Sequence, residues 1–309
     1  MHKINWGEYM RNLISYYYQL EPIDIHQSSH YYTFIVKNEK YRLQEVSNIA
    51  IDQVYHFMME LLERGIYTHQ IVKTITNEYS VVFDQKKYVL LKYYVDEKEE
   101  ISLPILEEFQ NQLMYIPFSK PSKSRRWSDL WSEKIDYFEY QMSQFGVKYP
   151  VIRESFAYYI GLAEVGIALF NTYFDAEEQT ILSHKRIKCT STFYDLYDPF
   201  NLIEDVKVRD SAEYFKSLYI KKGNILMEIS MYLRSPSLSN YDRMLFFIRM
   251  LFPSFYFDVY EEIMDNQKSD EPLKEIIEKS KNYDQLLREI YNELSNYMTV
   301  PYISWLKKM

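Results

Sequence analysis

Few side chains in this chain stand at spacings that suit catalysis. Cys189 is the single cysteine, so it forms no internal disulfide and belongs to no C-x-x-C zinc pair. A reducing compartment is the expected place of folding. His184 lies close to it in sequence, but nothing around the two matches an activated thiolate arrangement. His26 and His30 stand four apart in a loop-to-strand stretch without a neighbouring carboxylate helix, which is a poor zinc site. No G-x-S-x-G nucleophile elbow occurs. The chain holds 6 glycines in 309 residues, where average usage of about 7% would give roughly 22. No G-x-G-x-x-G or G-x-x-x-x-G-K-[ST] is present, so no glycine-rich phosphate cradle is encoded. Basic groups gather at Lys120 to Arg126 (KPSKSRR), a solvated linker with the charge to dock an acidic partner. Tyrosine is abundant, with 32 copies beside 18 Phe and 4 Trp. Tyr16-Tyr17-Tyr18, Tyr31-Tyr32, Tyr93-Tyr94 and Tyr158-Tyr159 are runs in which alternation must turn some phenols outward. Oxidative cross-linking would use such exposed phenols; core and surface packing explains most of the rest.

The elements that would position these groups fall into two parts. Hydrophobic residues make up 47% and charged residues 26%, ordinary values for a soluble globular protein. Residues 1–95 carry 10 basic and 10 acidic groups, so residues 96–309 supply the whole net charge of -8. That acidic excess disfavours nucleic acid as a partner. Glu8 and Arg11 stand where a signal peptide needs an apolar stretch. The longest nearly apolar run, Met244 to Phe257, is broken by Arg249 and Pro253, and a membrane span needs about 20 residues. It reads as a buried helix and its continuation, with no transmembrane segment expected.

In residues 1–95 the pattern is that of strands around one helix. Tyr31 to Lys37 and Lys40 to Val46 form a hairpin across Asn38-Glu39, and Tyr79 to Asp84 and Lys87 to Tyr94 a second across Gln85-Lys86. Between them a helix from about Ile49 to Arg64 carries Val54, Phe57, Met58, Leu61 and Leu62 at helical spacing, with Gly65 as its stop. Residues 96–309 are helical, with helices expected near 104–115, 127–145, 154–173, 210–219, 224–232, 241–251 and 283–298. Between about Asp175 and Val208 the helical period fails, and no repeat of 20 to 50 residues is visible. The expected class is α+β: a small antiparallel β lobe (1–95) followed by a larger helical lobe (96–309).

This order resembles the protein-kinase-like fold in its aminoglycoside and choline phosphotransferase branch. Six stretches, in order, resemble more specifically the spore-coat-associated CotS/YutH group. They are Arg126 to Glu139 (RWSDLWSEKIDYFE), Glu154 to Phe170 (ESFAYYIGLAEVGIALF), Leu182 to Ile187 (LSHKRI), Asp205 to Tyr214 (DVKVRDSAEY), Met244 to Glu261 (MLFFIRMLFPSFYFDVYE) and Val300 to Leu306 (VPYISWL).

A working phosphotransferase of this fold uses a strand lysine for the phosphates, a helix glutamate beside it, a loop aspartate as base and a metal-binding aspartate. Carried onto this chain, the resemblance implies that the lysine and the base are replaced. Gln44 stands at the lysine position, and a neutral amide brings no charge-assisted bond to a phosphate. Glu60 or Glu63 is either the helix glutamate, left without a lysine to position, or a solvated helix residue. The stretch His184-Lys185-Arg186 replaces His-Gly-Asp, so Arg186 stands where the base should be, and a guanidinium accepts no proton. Arg186 either binds an anion or pairs with an aspartate such as Asp210 or Asp205; His184 is either a buried loop residue bonded to the backbone or a base. Asp195, Asp198 and Asp205 all precede Arg209-Asp210, and Asn201 falls nearest the metal position, where an amide is a weaker Mg²⁺ ligand. Asp198-Pro199 is also a turn signal.

The expected function is therefore a non-catalytic, pseudokinase-type spore-coat protein. It would serve as an assembly and interaction scaffold, made in the mother-cell cytoplasm and deposited on the spore among other coat proteins, with no cofactor and no metal. The alternative is an ATP-dependent small-molecule phosphotransferase, with Lys40 or Lys37 in place of Gln44 and Asp195 or Asp198 in place of the base, or a nucleotide or metabolite sensor without turnover. ATP and Mg²⁺ belong only to that alternative.

Overall fold

The computed structural model describes residues 6–28, 30–47, 49–95, 98–113, 127–173 and 180–306. The expected basic linker at 120–126 lies outside them. The chain divides into two compact units: residues 1–101 with 191–202, and residues 102–190 with 203–309. The segment 191–202, which the sequence pattern placed with the helical part, joins the first unit.

The first unit is built on a six-stranded antiparallel sheet: β1 (Ile23–Gln27), β2 (Tyr31–Val36), β3 (Glu39–Val46), β4 (Gln70–Val72), β5 (Val81–Phe83) and β6 (Lys86–Lys92). The order is β1-β2-β3-β6-β4, with β5 also on β6. Alternation sorts the side chains of β3. Tyr41 and Leu43 join Tyr32, Phe34 and Leu90 in a core closed by Met10, Leu13, Ile14 and Tyr18 of helix α1 (Trp6–Tyr18). The even positions Lys40, Arg42, Gln44 and Val46 therefore face the other side. There Val46, Val89 and Leu91 pack with Ile51 and Met58 of α2 (Ile51–Glu63) and with Tyr194 and Phe200.

Both hairpin turns sit one residue earlier than the sequence pattern suggested. Lys37 and Asn38 have φ of 48° and 65°, and Asp84 and Gln85 have 48° and 61°. These are the paired positive dihedrals of a tight two-residue turn, formed here without glycine. Gly65, φ +79°, ends α2 as expected.

The second unit holds α3 (Leu103–Leu113), α4 (Trp127–Phe145), α5 (Pro150–Tyr173), the strand β7 (Thr180–His184) and β8 (Leu202–Val206), which pairs with β7. After the short α6 (Phe193–Tyr197), which belongs to the first unit, come α7 (Arg209–Lys222), α8 (Leu226–Leu233), α9 (Asn240–Leu251), α10 (Ser254–Asn266), α11 (Pro272–Lys279) and α12 (Tyr283–Leu294). Helix α9 starts at a Ser239–Asp242 capping box, and residues 243–251 are buried all round. It is a central core helix, as its apolar run requires. The tyrosine runs resolve as alternation demands: Tyr32 and Tyr159 are buried, while Tyr94 and Tyr158 are exposed. Among the described residues no helix is long and apolar enough to cross a membrane.

Candidate functional site

In the first unit, Gln44 lies between Tyr31 of β2 and Val89 of β6 and is buried. Its Oε1 accepts a hydrogen bond from the hydroxyl of Tyr194 at 2.9 Å. Tyr194 reaches it from α6, whose first turn is fixed by the Asp195 carboxylate accepting from the backbone N–H of Thr192 at 2.8 Å. Burial pushes the Tyr194 phenol far above its ordinary range, so it stays protonated and keeps donating.

Two residues further back on the same face of β3, the Arg42 guanidinium is held between aromatic rings. Its central carbon lies 3.6 Å from the Tyr31 centroid and 4.0 Å from that of Tyr194. Such sandwiched guanidiniums gain cation–π attraction on both faces. Lys40 lies over Tyr93 at 5.0 Å. The segment is anchored again by His69, fully buried. Its Nδ1 accepts from the backbone N–H of Tyr94 at 2.9 Å and its Nε2 faces the Tyr194 carbonyl at 3.1 Å. That pair of partners assigns the neutral ring with its proton on Nε2. A cavity of about 760 Å³ opens beside this cluster, with Asp24, Lys40, Arg42, Lys98, Tyr194 and Asp195 in its wall.

Asp198 and Asn201 follow in the same unit as turn residues. Asp198 Oδ1 accepts from the backbone N–H of Phe200 at 3.0 Å, and Asn201 Nδ2 donates to the Asp195 carbonyl at 3.0 Å. The Asp198-Pro199 pair thus makes the turn its residue types suggest. Asp195 and Asp198 both accept hydrogen bonds from amides of their own segment.

His184 and Arg186 belong to the second unit. His184 ends β7 and is fully buried. Its backbone N–H donates to Asp210 Oδ1 at 2.9 Å, its Nδ1 meets Asp210 Oδ2 at 2.6 Å, and Gln110 donates to the same oxygen at 3.3 Å. His184 was expected as a buried loop residue bonded to the backbone or as a base; it is buried at the end of a strand, with its ring on the Asp210 carboxylate. Arg186 pairs with neither aspartate expected of it. Among the described residues it pairs with Asp258 of α10 at 2.5 Å, and Lys188 shares that carboxylate at 3.5 Å. Asp210 is engaged by His184, and Asp205 by Arg209 and Arg249. Arg209 also donates to the carbonyls of His184 and Lys185 at 2.8 and 3.2 Å, fixing the loop from below. Burial alone would raise the Asp205 carboxyl, but the guanidiniums of Arg249 and Arg209 hold it below the usual carboxylate range.

Of the five positions named from the sequence, the structure groups Gln44, Asp198 and Asn201 in one unit and His184 and Arg186 in the other. Tyr194, Arg42 and His69 were not foreseen. An arginine alternating with apolar residues on β3 was visible in the sequence, but its aromatic partners come from distant segments. Among the described residues no three His, Cys, Asp or Glu side chains gather as metal ligands.

Comparison with known proteins places the chain in a family. The family model described as "Spore coat putative kinase YutH" matches residues 11–290. The endospore coat-associated protein YutH of Bacillus subtilis (strain 168) is 26% identical over 99% of this chain and 97% of its own length. Among solved structures, an aminoglycoside phosphotransferase from Alicyclobacillus acidocaldarius superposes with a TM-score of 0.63 at 12% identity, covering 90% of this chain and 94% of that one. An AMP-bound spectinomycin phosphotransferase gives 0.59 at 12% identity, covering 92% and 98%. At such identities the likeness is one of fold: α+β, protein-kinase-like, in the aminoglycoside phosphotransferase manner.

Proposed function

The chain belongs to the YutH family of spore coat proteins, and from that premise we propose that it is a spore-coat-associated protein keeping a kinase-like body as a non-catalytic scaffold for coat assembly. The observation that carries the proposal is the Tyr194–Gln44 hydrogen bond. At the strand position where a phosphotransferase presents an ammonium to its nucleotide, this chain has a buried neutral amide, already bonded to a phenol. The loop position of the base supports the same reading, because Arg186 is ion-paired to Asp258 and has no proton-accepting form near neutral pH. The residues present do not fit a magnesium triphosphate. Asp195 and Asp198 serve as caps and turn acceptors, Asn201 is a neutral amide, and Mg²⁺ calls for carboxylate oxygens beside the phosphates.

One observation favours the phosphotransferase alternative: Lys40 and Arg42 line the same cavity as Asp195. The Arg42 guanidinium is sandwiched between two rings and Asp195 caps its own helix, so each has a structural task that catalysis would have to interrupt.

The partners on this reading are other coat proteins, and the chain is made in the mother-cell cytoplasm before it is deposited on the forming spore. The test is a fluorescent fusion followed through sporulation, together with extraction of the coat fraction. Accumulation around the forespore, unchanged in a strain carrying Arg186→Ala and Asp198→Asn, is the expected result. A signal diffuse in the mother cell to the end, or a coat defect in that strain with the protein still localised, overturns the scaffold reading.

A further inference from the structure

Tyr67 lies in the connector between α2 and β4, and Tyr94 follows the end of β6; both belong to the first unit. Their rings stack with centroids 5.1 Å apart and planes 10° from parallel, yet each residue is 47% exposed. The backbone under both rings is fixed. Tyr67 stands between the buried Ile66 and Thr68, and the N–H of Ile66 donates to the Leu61 carbonyl at 2.9 Å. The N–H of Tyr94 donates to Nδ1 of the buried His69 at 2.9 Å, and its ring meets that of Tyr197 edge-on at 5.2 Å. Other tyrosine pairs among the described residues lack this combination. Tyr159 and Tyr256 stack at 3.9 Å but are buried, while Tyr16–Tyr17 and Tyr158–Tyr159 meet edge-on.

We propose that Tyr67 and Tyr94 form an oxidative modification site, at which hydrogen peroxide and a peroxidase-type one-electron oxidant couple the two phenols of one chain into a biphenol. Each ring gives up one electron and one proton and becomes a phenoxyl radical. The two radicals join through one new carbon–carbon bond between their ortho positions. Each joined carbon then releases its hydrogen as a proton while its oxygen takes one up, which restores both phenols. The pair loses two hydrogens in all, and those two electrons and two protons reduce the peroxide to two waters. Three features select this pair. Exposure lets the oxidant reach both rings. Contact at 5.1 Å gives the second radical a local concentration that a separate molecule does not match. The anchored main chain keeps the partners together, while rings open to solvent have room to turn from face-to-face to edge-to-edge. The bond staples the connector before β4 to the end of β6, and such a covalent loop constrains the unfolded chain more than the folded one. The chain supplies only the two side chains, so the site stands apart from the scaffold reading.

The test treats the full chain, in dilute solution, with hydrogen peroxide and a haem peroxidase, on the natural sequence and on Tyr67→Phe and Tyr94→Phe. Phenylalanine keeps the stacked ring and removes the phenol, and melting temperatures before oxidation confirm that each variant is folded. The expected product is a monomer two hydrogens lighter, in which the tryptic peptide holding Tyr67 is joined to the one holding Tyr94. Its melting temperature is expected to rise by several degrees over the untreated chain. In either variant the yield of that product is expected to fall by about tenfold or more, because coupling must then find a phenol in another molecule. Tyr93 shares a tryptic peptide with Tyr94, and loss of the link in Tyr94→Phe assigns the ring. A natural chain that gives only links between molecules, or none, overturns the proposal. So does a linked monomer formed in equal yield by either variant.

Discussion

Tyr194 donates its phenolic proton to the side-chain oxygen of Gln44 across 2.9 Å, joining residues 150 positions apart in the chain. The bond ties the short helix α6 to the central strand β3, and both partners are buried. Tyr194→Phe removes the donor and leaves a buried acceptor unsatisfied, at an expected cost of about 1–3 kcal/mol. Adding Gln44→Leu removes the orphaned amide and is expected to recover part of that loss. Urea unfolding of the two single variants and the double gives the coupling directly; additive losses would show that the bond carries no net stability.

The second unit should lose stability in acid for a reason that can be assigned. The Asp205 carboxyl is lowered because Arg249 and Arg209 outweigh the effect of its burial. Burial likewise acts to raise Glu213, but the ammonium of Lys216 and the hydroxyl of Ser254 bring it down to about 2. Both groups protonate more readily in the unfolded chain, so their stabilisation is fully present above about pH 5 and is lost as pH falls toward the folded values. Calorimetry between pH 2 and 6 is expected to show a steep fall in melting temperature below about pH 4, with a shallower slope in Glu213→Gln. A slope unchanged in that variant would contradict the assignment.

Two glycines of α5 should respond in opposite directions. A Cβ on Gly161 meets no atom within 4 Å, whereas one on Gly166 lies 3.3 Å from the Ile248 carbonyl oxygen and 3.4 Å from Leu251 Cβ, where α5 crosses α9. Gly161→Ala is expected to stabilise by about 0.5–1 kcal/mol through helix propensity. Gly166→Val is expected to destabilise by about 1–3 kcal/mol through overpacking. Denaturant midpoints of the two variants check both signs.

The regular elements were legible where local periodicity matched burial. Helix α4, expected over 127–145, spans those residues, and β2, β3, α2 and β6 fall within three residues of their expected limits. What escaped was set by distant contacts. Strand β1 is polar and mostly exposed, with Asp24 at a φ of 51°, and is a strand only because β2 lies beside it. Strand β4 is three residues long, too short for alternation to show. Helix α1 was hidden by its aromatic β-formers, although Met10, Leu13, Ile14 and Tyr18 keep helical spacing. In the interval expected to be irregular, β7 and β8 pair with each other, which neither announces alone.

The site followed the same rule. The neutral amide of Gln44 and the guanidinium of Arg186 are residue identities, readable from the sequence. Their partners are not. Arg186 was expected to bind an anion or to pair with an aspartate such as Asp210 or Asp205, and the aspartate it pairs with is the more distant Asp258. The nearer aspartates are occupied by a buried imidazole and two arginines.

The non-catalytic reading is tested most directly by melting the purified protein with and without millimolar Mg-ATP while assaying released phosphate. A ligand at a hundred times its Kd stabilises the folded chain by about 2.7 kcal/mol, a shift of several degrees. The expected result is an unchanged melting temperature and no phosphate release. A clear upward shift accompanied by ATP turnover that Asp198→Asn abolishes would contradict it.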